Sequence, residues 1–268
     1  MNEVFPYTFS WNPWHGCHRV SSGCLHCYMF EGNESRGLVT SEIVTKSKHQ
    51  FDLPIKKGKN GCYILRNRFV MTSMSSDFFI EEADEWRDEV WSMIRKRRDL
   101  TFEILTKRPE RIIDNLPDDW NSGYDNVRIS VSAEDQNAWD RRIPILQSIP
   151  SKHRDVFMAP LIGKIDTNGL LKNGGIDYIF VGGEYCSEGA RPCDLNWVKA
   201  VRESCIANNV SFHWRNCGTH FIKNGHMFTI PNIKEQSDIS SAAGLDHIVK
   251  PIFDPGRETT QRNLNDYL

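Results

Sequence analysis

Tyr178-Ile179-Phe180-Val181, running into Gly182-Gly183-Glu184, is the stretch on which the fold turns. Four consecutive apolar residues without polar alternation read as a strand covered on both faces, the mark of a parallel sheet. The strand stops at two glycines and an acid. The same pattern recurs upstream. Arg68-Phe69-Val70-Met71-Thr72 ends in Ser73-Met74-Ser75-Ser76-Asp77, and Phe102-Glu103-Ile104-Leu105-Thr106 ends in Lys107-Arg108. Val127-Arg128-Ile129-Ser130-Val131-Ser132 ends in Ala133-Glu134-Asp135, and residues 156–161 read as the next strand. Downstream, Val210-Ser211-Phe212-His213-Trp214 reads as a last strand. Helical spacing of apolar residues predicts helices over 82–98, about 136–147 and 194–207, and Pro109 fits the first turn of another. Strand–helix–strand at this spacing predicts an α/β fold with parallel strands and outer helices. A partial or complete TIM-like barrel suits the succession; an open doubly wound sheet is the alternative. Both architectures place functional groups at the C-terminal ends of strands, where the polar clusters fall.

The pattern stops near residue 218. We therefore assign 1–218 to the barrel and 219–268 to a C-terminal hairpin and polar cap or tail. Phe221 to Phe228 reads as a β-hairpin, a short helix is expected near 235–243, and 255–268 as a loose end. The chain has 268 residues, 39% hydrophobic and 25% charged, which is ordinary globular composition. Its 33 basic and 35 acidic residues leave a net charge of −2, so no global basic field points to nucleic acid. No stretch is apolar enough for a membrane span, and no secretory signal opens the chain, so a cytoplasmic protein without a membrane partner is expected.

In a reducing compartment eight cysteines are not expected to form a disulfide framework. Three of them, Cys17, Cys24 and Cys27, fall together in C-x6-C-x2-C spacing, with Gly16 and Gly23 directly before two of them. Thiolates at such spacing hold iron–sulfur clusters or zinc. Zinc would draw a fourth ligand from His15, His18 or His26. Three ligands on a cluster would leave one iron open to a substrate or cofactor. Buried structural cysteine is the plain alternative. Cys186 and Cys193 lie near the glycine-rich sixth-strand loop without a CxxC arrangement. Trp11, Trp14, Tyr28, Trp86 and Trp214 suit either core packing or a stacking pocket. No G-x-S-x-G or Walker A pattern supports a hydrolase.

Several motifs together carry a resemblance. Trp11-Asn12-Pro13-Trp14-His15-Gly16-Cys17, the run Val20 to Tyr28, Thr106 to Arg111, Ser130 to Gln136, Val181 to Glu184 and Ala190-Arg191-Pro192 resemble the radical-SAM-like phage-protein family of unknown function, over about residues 8–235. The wider superfamily uses C-x3-C-x2-C; here the first gap holds six residues. The resemblance implies a radical SAM enzyme. Cys17, Cys24 and Cys27 would hold a 4Fe–4S cluster whose open iron binds S-adenosyl-L-methionine. Reductive cleavage, fed by an electron donor, would yield a 5′-deoxyadenosyl radical that modifies an unknown substrate, with a nucleotide or nucleic acid among the candidates. His26 would contact the adenine. Ser73, Ser75 and Asp77 would take the SAM ammonium, Lys107 and Arg108 its carboxylate, and Ser130, Ser132 and Glu134 its ribose. Glu184 and Arg191 would face substrate as catalytic groups. The alternative is a zinc-stabilised α/β binding module without catalytic activity.

Overall fold

The computed structural model describes residues 8–34, 41–66, 68–186 and 188–252. Seven parallel strands form one sheet in strict sequence order. They are β1 (Thr8–Trp11), β2 (Phe69–Thr72), β3 (Thr101–Thr106), β4 (Val127–Ser132), β5 (Arg154–Met158), β6 (Tyr178–Gly182) and β7 (Ser211–Asn216). The sheet curls into a half-barrel with helices outside. Phe69 of β2 and Tyr178 and Phe180 of β6 share one apolar cluster. In a flat sheet those strands would lie about 19 Å apart, four spacings of roughly 4.8 Å. The helices are α1 (Tyr28–Glu34), α2 (Asp84–Lys96), α3 (Gln136–Ser148), α4 (Asn168–Leu171), α5 (Leu195–Ala207) and α6 (Ile233–Ala242). No helix among the described residues is long and apolar enough to cross a membrane.

Strand alternation sorts the residues. On β4, Val127, Ile129 and Val131 face the outer core beneath the helices. Arg128, Ser130 and Ser132 alternate with them and are buried on the other face. Trp11, Trp14 and Trp214 are buried in the outer core, so the packing reading of these tryptophans holds. α2 carries Asp84 and Glu85 in its first turn and Arg95 and Lys96 in its last, matching its dipole. Asp135 caps α3 by accepting from the Ala138 amide at 2.9 Å, and Asp194 caps α5 through the Asn196 amide at 2.7 Å.

β1 lies ahead of the strands read from the sequence and pairs with β2, and two features depart from the sequence reading. After β3 there is no α-helix, only the 3-10 turns Pro109–Arg111 and Ile113–Asn115. Leu116 is held extended (ψ 148) because Pro117 follows it. The strand expected over 156–161 is Arg154–Met158, ending before the Ala159-Pro160 bond. The hairpin forms as β8 (His220–Lys223) and β9 (His226–Thr229), antiparallel. β8 also pairs in parallel with Cys193–Asp194.

The chain then returns to the sheet. His247 exchanges backbone hydrogen bonds with Phe212 at 2.7 and 2.9 Å. Tyr178 Oη donates to the Lys250 carbonyl at 2.7 Å, and Ile252 is buried with Phe69, Met71, Phe157, Tyr178 and Phe180 on the inner face. The loose end expected at 255–268 lies outside the described residues.

Beneath that apolar lid is a buried charge network. Arg128 binds Asp155 through two hydrogen bonds of 2.5 and 2.6 Å and lies 3.7 Å from Glu103. Ser130 Oγ donates to Glu103. One guanidinium serves two fully buried carboxyls. Burial, together with the Asp155 charge, pushes the Glu103 carboxyl well above the ordinary range. Burial and the neighbouring charge therefore favour the protonated form of Glu103.

A raised folded pKa stabilises the fold only while the group stays protonated; stability falls as pH climbs above the unfolded value. Glu103→Gln is thus expected to unfold at higher urea than the parent near pH 8, with the advantage shrinking toward about pH 5. An equal difference at both pH values would contradict a protonated Glu103. A second prediction concerns the closure between β6 and β7. A Cβ on Gly183 would stand 2.4 Å from the Cys217 carbonyl oxygen, a backbone atom that cannot swing away. Gly183→Ala should lose about 1–3 kcal/mol of unfolding free energy. Gly169→Ala, with nothing within 4 Å, should lose none; urea titration compares the two.

Candidate functional site

The C-terminal strand ends surround a cleft of about 440 Å³, within the range of small-molecule sites. Cys17, Cys24 and Cys27 all line it. Cys24 closes the 3-10 turn Ser22–Cys24. Cys27 stands directly before α1, its carbonyl accepting from the Phe30 amide at 2.9 Å. The cysteine loop, which has little secondary structure, is held by the strand ends beneath it.

The first anchor is the end of β2. Gly16 donates to the Ser75 carbonyl at 3.1 Å, and Ser76 Oγ donates to the Gly16 carbonyl. Gly16 sits at φ +92, and a Cβ there would be 2.2 Å from the Ile43 carbonyl oxygen, so only glycine fits before Cys17. The second anchor is a buried ion pair. Arg108 contacts Asp77 at 3.0 Å, donates to the His18 carbonyl at 3.1 Å, and lies 3.8 Å from Cys17 Sγ. Asp77 also accepts from Thr106 Oγ1 at 2.7 Å and from the Lys107 and Phe79 amides, each at 2.9 Å. Burial opposes the Arg108 charge, but Asp77 and Cys17 outweigh it and hold its pKa above the ordinary value. The Cys17 thiol is pushed up to about 11 by burial and by Asp77.

The third anchor lies at the end of β4. Glu134 accepts from the Gly23 amide at 3.2 Å and from Arg142 at 2.8 Å. Burial would raise its pKa, but Arg142 prevails and lowers it. The fourth follows β6. Glu184 accepts from the Arg191 backbone amide at 2.9 Å and from its side-chain Nε at 2.8 Å. Arg191 donates in turn to the Ser22 carbonyl at 2.9 Å. Burial opposes ionisation of Glu184, yet Arg191 holds its pKa below the ordinary value. His26 Nδ1 is 3.2 Å from Glu184 and 3.4 Å from Cys186 Sγ. Those three ligand-type atoms lie within 4.8 Å of one another. An ion there would compete with the Arg191 guanidinium for the same carboxylate.

The anchors divide the expected site residues into those on the cleft wall and those behind it. Ser75, Ser130, Glu134 and Arg191 do not line the cleft. Ser75 Oγ is taken by His15 Nδ1 at 2.7 Å. Ser130 faces the buried Glu103 one layer below. Glu134 and Arg191 hold the cysteine loop from outside. Asp77, Arg108 and Glu184 reach the cleft wall, but each charge is already paired. The residues that face the cleft with capacity in hand are Ser73, Lys107 and Ser132. Ser73 has φ 61, unusual for a residue with a side chain, and its buried hydroxyl has no hydrogen-bond partner among the described residues. Lys107 Nζ rests on Ser132 Oγ at 3.2 Å.

Sequence reasoning missed Arg215 and Asn216, both on the cleft wall. The last strand was taken to stop at Trp214, whereas β7 runs to Asn216. The rule that strand ends carry function would have found them had the strand been read two residues longer. Of the remaining cysteines, Cys193, Cys205 and Cys217 are buried in the outer core and Cys62 is exposed.

Breaking a buried pair leaves an uncompensated charge. Asp77→Ala should therefore lose about 3–5 kcal/mol of unfolding free energy, read by urea titration. A loss under about 1 kcal/mol, as for a surface pair, would show that Asp77 does not organise this end of the barrel.

A family model described as protein of unknown function (DUF5131) matches residues 6–264. No curated protein and no solved structure matches the chain. The match covers the sheet, the cysteine loop and the cleft together, and the chain belongs to the DUF5131 family of proteins of unknown function.

Proposed function

We propose that the protein is an iron–sulfur enzyme of the radical SAM type, with Cys17, Cys24 and Cys27 as cluster ligands, on a partial TIM-like barrel. One observation carries the reading. The three cysteines of one loop line one cleft at the C-terminal strand ends, together with polar groups that the loop does not consume. Three thiolates on a four-iron cluster leave one iron for SAM. When bound, the cluster and SAM supply the electron transfer and the 5′-deoxyadenosyl radical.

The chain's own groups would then position and protect. Arg108 places a cation beside Cys17, which favours its thiolate on metal binding. Ser73 offers an unpaired hydroxyl to the SAM ammonium. Lys107, on a hydroxyl rather than a carboxylate, suits the SAM carboxylate, whereas Arg108 is already paired with Asp77. Ser132 is the ribose candidate that remains on the wall. Leu105, Phe157 and Pro160 form an apolar floor that excludes water from the reacting centre.

Anaerobic reconstitution tests the reading. About four irons and four sulfides per chain are expected, with a reduced-cluster electron paramagnetic resonance signal and 5′-deoxyadenosine after SAM and dithionite. Cys17→Ala, Cys24→Ala and Cys27→Ala should each lose iron, while Cys205→Ala, in the outer core, should keep it. A colourless protein carrying zinc, or iron retained in all three single variants, would sink the proposal.

A further inference from the structure

The last strand breaks register at its C-terminal end. Trp214 pairs with Val181 and Asn216 with Gly182, so Arg215 is an extra residue on β7. Such bulges are rare between parallel strands; they gather beside active sites and re-aim a side chain. Here Trp214 stays in the outer core, while Arg215 and Asn216 both line the cleft. In an unbroken strand two successive residues face opposite sides of the sheet.

The guanidinium placed this way makes no hydrogen bond or ion pair with the described residues. Its central carbon lies 5.8 Å from the Phe157 ring centroid. The other arginines described at this end are taken, Arg108 by Asp77, Arg142 by Glu134 and Arg191 by Glu184. Arg215 stays exposed to the cleft with no internal anion beside it among the described residues. Asn216 Oδ1, an acceptor, is buried beside it without a hydrogen-bond partner and suits a donor such as a sugar hydroxyl rather than a phosphate. Two aromatic rings complete the picture. Tyr28 and Tyr185 line the cleft and are 54% and 46% exposed, far more than packing residues. Exposed aromatic faces beside a free arginine suit a flat base carrying a phosphate.

We infer that Arg215 forms an oxyanion subsite for the phosphate of a nucleotide unit, whose base rests on Tyr28 or Tyr185. This names the substrate class of the cleft and rests on the function proposed above. Arg215 belongs to this subsite because Lys107 is the cation available to SAM. The planar guanidinium binds a phosphate through two parallel N–H donors, which a lysine cannot reproduce.

Calorimetric titration of the full-length chain, with its iron content recorded, tests the subsite. The probes are dTMP against thymidine and dAMP against deoxyadenosine. Each nucleotide should bind roughly tenfold or more tightly than its nucleoside. Arg215→Gln should abolish that preference and leave nucleoside binding unchanged, and Arg215→Lys should restore only part of it. Because Arg215 has no internal partner, the urea midpoint of Arg215→Gln should match the parent. Equal binding of nucleotide and nucleoside, or a preference that survives Arg215→Gln, overturns the inference. So does inorganic phosphate competing as well as dTMP, which would indicate an ion site only. The two proposals fail separately: a chain without iron that keeps the Arg215-dependent preference defeats the cluster alone, and a cluster without the preference defeats the subsite alone.

Discussion

The Asp77 carboxylate is the tie on which the mouth of the half-barrel depends. It accepts from the end of β3 through Thr106 and Lys107, and from its own turn through Phe79. It also pairs with Arg108, which reaches the cysteine loop at His18 and Cys17. Both partners are nearly buried, so the pair is only weakly screened, and its geometry fixes which way the loop faces. Trp14 adds a second link, donating its indole N–H to the Asp77 carbonyl at 3.0 Å.

From that tie follows a division of labour among the polar strand ends. Anchoring an irregular loop over a sheet requires partners for its backbone groups, because buried amides and carbonyls left unpaired are costly. Ser75, Ser76, Arg108, Glu134 and Arg191 meet that need. What remains unpaired is then informative. Ser73, Lys107, Asn216 and Arg215 are the groups on the wall whose capacity the loop does not consume. Strain accompanies them, as a left-handed Ser73 and a bulge at Arg215. Such departures persist where the surrounding structure over-determines them.

Below the mouth the inner face is held differently. Glu103, Arg128 and Asp155 are fully or nearly fully buried and depend on one another. The apolar cluster around Phe157 and Phe180, closed by Ile252, separates this network from the cleft. The returning segment at His247 to Ile252 thus covers a face that an open half-barrel would leave exposed.

The strand and helix succession was legible because apolar periodicity is local. Val127–Ser132 was read with its observed boundaries, and α3 and α5 to within a residue. So was the gathering of polar residues at strand ends, which follows from parallel topology alone. The sequence by itself determined that this is a parallel α/β chain with three clustered thiols in its first loop. Only the tertiary structure decided which polar side chains are spent on anchoring and which stay open. Pairings such as Gly23 with Glu134, or Ser22 with Arg191, join residues more than a hundred positions apart. Charge satisfaction depends on distance in space, so Glu184 and Arg191 read as free catalytic groups until their mutual bond is seen. A bulge is likewise a property of two strands in register; nothing within His213-Trp214-Arg215-Asn216 alone could reveal it.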